Sequence, residues 1–71
     1  MKYTVIIEKA EGNYSAYVPD LPGCVSVGDT VEETERNIRE AIVFHIRGLR
    51  DEGLDVPEPT SIAAHVEVPA H

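Results

Sequence analysis

The sequence predicts an α+β domain of order β-β-β-α-β, with a four-stranded mixed sheet (order 3-2-1-4) and one helix over one face. Three features predict it: an alternating apolar run near the N-terminus, a Pro-Asp-Leu-Pro-Gly corner between two short strand-like runs, and a capped amphipathic helix. Residues 2 to 8 alternate, with Tyr3, Val5 and Ile7 on one face and Lys2, Thr4, Ile6 and Glu8 on the other. Residues 9 to 13 are turn-rich and lead into a second strand over 14 to 18, where Tyr14, Ala16 and Val18 share a face and Tyr17 lies opposite. Pro19 and Pro22 fix φ and remove N–H donors. Pro22-Gly23 suits a type II turn, and Asp20 suits bonding to backbone N–H groups that hold the bend. A third strand follows over 24 to 27.

Asp29 or Thr30 caps the helix, since each has a glutamate three residues on. Val31, Ile38, Ile42, His45, Ile46 and Leu49 recur at helical spacing and are expected over the sheet. Gly53 is a left-handed terminator, and Val56-Pro-Glu-Pro59 a stiff extended connector. Residues 61 to 68 alternate again, placing Ile62, Ala64, Val66 and Val68 on one face of a fourth strand. A right-handed helical crossover would set that strand beside the first. The sheet face bearing Ile6, Tyr17 and Ile62 or His65 would then have no cover from this chain. Val43 and Phe44 point away from the helix's core stripe, and Phe44 marks a contact.

Seventy-one residues make one domain, 1–71. So short a chain buries only about 60% of the surface its unfolded form exposes, and self-association into a dimer or tetramer would supplement that core. A net charge of −7 disfavours nucleic-acid binding by this chain, because phosphate contacts need concentrated Lys and Arg. It suits a basic protein partner instead. Arg36, Arg39, Arg47 and Arg50 balance Glu32, Glu33, Glu35 and Glu40 along the helix, so the acidic excess lies on the sheet and loops. The single cysteine, Cys24, excludes an internal disulfide, and the apolar run at the N-terminus is too short for a signal peptide or membrane span. Cytoplasmic residence is expected.

Catalysis is not expected. Cys24, His45, His65 and His71 form no pair at metal-ligand spacing. Cys24 lacks an evident base and orienting group. A two-metal nuclease needs carboxylates converging from neighbouring strands and a helix. Only Glu8, Glu67 and Glu35 are on offer, and they do not converge. No cofactor is implied.

The ordered set Tyr17-Val-Pro-Asp-Leu-Pro-Gly-Cys24, Gly28-Asp-Thr30, Asn37-Ile-Arg-Glu-Ala-Ile42, Gly53 and Val56-Pro-Glu-Pro59 resembles the HicB family of bacterial HicA–HicB toxin–antitoxin pairs. The resemblance implies a degenerate RNase H-like fold and a non-catalytic antitoxin-type domain. Its implied partner is HicA, a small basic RNA-cleaving toxin that the domain binds and neutralises. Antitoxins of this family commonly carry a further DNA-binding domain, and residues 61 to 71 are too few to be one, so operator binding is not carried over. Candidate partner-binding residues are Tyr17, Asp20, Leu21, Pro22, Gly23 and Phe44. The alternatives are a solitary oligomeric HicB-like domain with another regulatory role and a minimal RNase H-like nuclease.

Overall fold

A computed structural model of the chain describes residues 1–70; His71 lies outside them. Strands β1 (Ile6–Ala10), β2 (Asn13–Tyr17) and β3 (Val25–Gly28) form an antiparallel sheet of order β1-β2-β3, and helix α1 (Val31–Asp51) packs on one face. The β1–β2 hairpin is tight, with Ala10 opposite Asn13 and Glu11-Gly12 between them. This turn carries the first strand further along the chain than the alternation suggested. Pairing stops at Ile6 opposite Tyr17, because β2 gives way to the corner and residues 2–5 meet no antiparallel neighbour.

The corner satisfies its own backbone. Leu21 N–H donates to Val18 O, Cys24 N–H to Leu21 O, and Val18 N–H to Cys24 O. The second of these bonds closes a turn with Pro22 and Gly23 in the middle, and Gly23 has φ +85°, as a type II turn requires. Leu21 is thereby driven into the core with Ala16, Val18, Cys24 and Ile38.

Thr30 caps α1: its side chain accepts from Glu33 N–H at 3.0 Å. Gly28 is buried where β3 meets the helix start, and a Cβ there would lie 2.6 Å from Thr34 Oγ1 and 2.7 Å from Thr34 N. The chain can approach this closely only because residue 28 has no side chain. The buried Thr34 hydroxyl donates to Thr30 O at 2.7 Å. Asn37 ties the helix to β3 by donating to Val27 O at 2.8 Å. At the other end, Leu54 N–H bonds to Leu49 O and Gly53 N–H to Arg50 O, a Schellman ending around Gly53.

The inward stripe is not quite the expected one. Thr34 and Ile38 are fully buried, Ala41, Ile42 and Ile46 pack at the core's margin, and Val31 is exposed. A helix of 21 residues is about 31 Å long, whereas strands of 4 to 5 residues span only about 15 Å. The helix is thus longer than the sheet it covers, and Val43 and Phe44, which lie off its packed stripe, stand in solvent.

The four-stranded mixed sheet of order 3-2-1-4 is not formed. Residues 61 to 68 belong to no strand or helix and pair with no strand, and Ile62, Val66 and Val68 are exposed. Alternation records that a segment has two faces; it does not supply a ladder partner. Side-chain bonds direct this segment instead. Tyr3 OH donates to Pro57 O, Thr4 Oγ1 donates to Ser61 O, and Asp20 accepts from Thr60 and Ser61. Beyond these anchors the chain runs outward. The radius of gyration is 14.1 Å, against about 11 Å for a compact chain of this length.

Candidate protein-interaction site

Strand register decides which side chains share the face that α1 leaves open. Ile6 stands opposite Tyr17 and Tyr17 opposite Val25; one step along, Glu8, Ser15 and Val27 are aligned. Since Ala16 and Ile7 face the core, these six point the other way. Tyr17, Val25 and Val27 are exposed by 41%, 65% and 58%, and Ile6 is half-buried. The result is an apolar row across all three strands with Glu8 at one end. Tyr17 and Ile6 were legible in the sequence as members of this face. Val25 and Val27 were missed, although their i, i+2 spacing in a short strand after the corner carried the signal.

The remaining candidates separate. Pro22 and Gly23 are exposed at the tip of the corner. Leu21 is fully buried, so it supports the corner from beneath. Asp20 is engaged within the chain. Its carboxylate accepts from the Thr60 and Ser61 N–H groups at 3.0 Å each, and from the two hydroxyls at 3.1 and 2.8 Å. These bonds, led by the Ser61 N–H, hold the Asp20 carboxyl below its ordinary value. Phe44 is 76% exposed on the side of α1 away from the sheet, so it and Tyr17 face opposite directions.

Charge is distributed as the composition suggested, except that Asp51 falls within α1, whose four arginines meet five carboxylates. Along the helix Glu35 and Arg39 pair at 3.6 Å, both exposed. Burial pushes the Cys24 thiol up and keeps it protonated, the opposite of what a nucleophile needs. Partial burial, then the nearby Glu58 and Asp20 carboxylates, raise the Tyr3 hydroxyl. Among the described residues no three His, Cys, Asp or Glu side chains are grouped as a metal site would group them, and no helix is long and apolar enough to cross a membrane.

Comparison with known proteins agrees with this geometry. Residues 3–71 match the family described as HicB-like antitoxin of bacterial toxin–antitoxin system. A UPF0150 protein of Helicobacter pylori is 42% identical over 69 residues, covering 96% of each chain. Antitoxin HicB 2 of Photorhabdus laumondii is 34% identical over 99% of this chain and 51% of its own length. The chain thus spans about half of that relative, as it does of a Haemophilus phage HP1 protein. Among solved structures, a chain of the HicA3 and HicB3 toxin–antitoxin complex superposes with a TM-score of 0.74 at 33% identity, over 84% of this chain and 70% of that one. A match spanning the strands, the corner, the helix and the connector identifies the whole arrangement: this chain belongs to the HicB-like antitoxin family.

Proposed function

We propose that this chain is a non-catalytic binding module that holds and neutralises a small, basic, RNA-cleaving toxin of the HicA type. The observation that carries this reading is the uncovered sheet face, where Ile6, Tyr17, Val25 and Val27 form an apolar row beside Glu8 on a chain of net charge −7. Exposed apolar residues in a contiguous row mark an interaction surface, and an aromatic at its centre supplies the largest contact. The chain's negative charge steers a cationic partner and raises the association rate at low salt. Family membership and the likeness to a chain of a toxin–antitoxin complex support the same partner class.

In this reading the tip of the corner, Pro22-Gly23, lies beside the contact, and Leu21 and Asp20 set its shape from behind. Phe44 serves a separate contact on the helix side. The domain acts in the cytoplasm, self-associates, and touches no nucleic acid itself. The test is to mix it with a HicA-type protein from the same genome at low salt and follow complex formation and RNA cleavage. A complex that suppresses cleavage, weakened by Tyr17→Asp, is expected; no complex would remove the proposal. RNA turnover with Mg²⁺ that is lost in Glu8→Gln would overturn the non-catalytic assignment.

A further inference from the structure

We propose that two copies of this chain associate by exchanging residues 62–68, the segment of each copy lying between β1 and the corresponding segment of the other. Four observations converge on this arrangement. Among the described residues, neither 2–5 nor 62–70 make a backbone–backbone hydrogen bond, so two strand-like stretches with free donors and acceptors coexist in one chain. Such edges are templates for pairing with another chain. A cavity separates them, with Thr4, Ile6 and Ile7 on one wall and Ser61, Ile62 and Ala64 on the other. An inserted strand would meet a free edge on both sides.

A second groove opens on the helix side. It runs between the N-terminal segment and α1 and is lined by half-buried Tyr3, Val5 and Ile7, with Ile42 and the buried Ile38. The chain also carries apolar residues with no cover: Ile62 is 90% exposed, Val66 82% and Val68 72%, all at even spacing on one face. A strand placed beside β1 directs one such face into this groove. The chain therefore holds both a groove with apolar walls, edged by Lys2, Glu35 and Arg39, and an apolar segment of matching periodicity, and it does not bring them together.

Its connector explains why a second copy is the occupant. Pro57 and Pro59 stiffen the approach, and Tyr3, Thr4 and Asp20 pin Pro57, Thr60 and Ser61 in place. Past these anchors Ile62 to His65 border the cavity beside β1, but no residue of the segment lines the helix-side groove. Held in this geometry the segment does not close onto its own chain, and exchanging an identical element between copies is a low-cost route to a dimer. Two-fold symmetry then sets the two segments antiparallel and makes the contact self-complementary. Toxin binding plays no part in this inference.

The test uses light scattering on the full chain and on an Ile62→Asp, Val66→Asp double variant. The wild type should have an even multiple of the chain mass. The variant should be monomeric with unchanged helical circular dichroism, since both positions are solvent-exposed within one copy. A monomeric wild type, or a variant that keeps the wild-type mass, overturns the exchange. An independent readout stands even where the variant fails to fold. Isotope-labelled and unlabelled chains are unfolded, mixed and refolded, and filtered NOEs are sought between Val66 or Val68 methyls of one chain and Val5 or Ile42 methyls of the other. Their presence supports exchange; an oligomer lacking them overturns it.

Discussion

The two ends of this small sheet are built on opposite terms. Around β3 and the start of α1 everything is closed: Leu21, Thr34 and Ile38 are fully buried, Gly28 lets the backbones touch, and the corner satisfies its own donors. Around β1 and residues 62–68 the chain is open, with unpaired backbone, half-buried Tyr3, Val5 and Ile7, and aliphatic side chains in water. Stability should therefore concentrate at the closed end, and association at the open one. A domain with so thin a core keeps little margin against loss at the first.

Ile38→Ala should show the largest effect. Truncating a fully buried aliphatic costs about 2–5 kcal/mol, enough to unfold much of the population. Urea denaturation followed by circular dichroism measures it, and a loss below about 1 kcal/mol would show that the closed end does not carry the fold. Gly28→Ala comes next, at about 1–3 kcal/mol, because the new methyl meets the Thr34 backbone nitrogen, which cannot swing aside. Thr30→Ala removes the cap on the same helix end for about 1 kcal/mol, read from the same titration.

Asp20→Asn sits on the boundary between the two ends. It should leave the urea midpoint nearly unchanged while speeding amide exchange at Thr60 and Ser61, whose N–H groups lose a charged acceptor. Its pH dependence has a definite sign. The folded carboxyl titrates below its ordinary 3.8, so its contribution is fully present above that value and disappears as pH falls through the lower, folded one. Amide protection at Ser61 that persists unchanged through strong acid would contradict the anchor. Phe44→Asp should have the smallest effect on folding, within about 0.5 kcal/mol, because the ring is exposed. A changed dissociation constant for partner or self would place the helix side in a contact.

The parts of the candidate site that were legible are those written in adjacent residues. Tyr17 and Ile6 follow from alternation within one strand. Val25 and Val27 needed the register, which sets Val25 opposite Tyr17. Leu21 shows the opposite failure. The apolar residue of a Pro-rich corner reads as an exposed tip, but the corner's bonds fold it inward until nothing of it is exposed. Thr34 escaped notice because a hydroxyl breaks an apolar stripe on paper, while in the helix it bonds back to Thr30 O and is buried without penalty.

Short-range chemistry was determined by the sequence alone: the Pro22-Gly23 turn, the Thr30 cap with Glu33, and the helix end at Gly53 each involve groups within a few positions of one another. Tertiary structure decided what residues 61 to 68 do, since a strand exists only when a second backbone accepts it and no pattern within one segment names that partner. It also decided that Asp20 holds Ser61, 41 positions away, where only the folded path of the chain brings carboxylate and amide together.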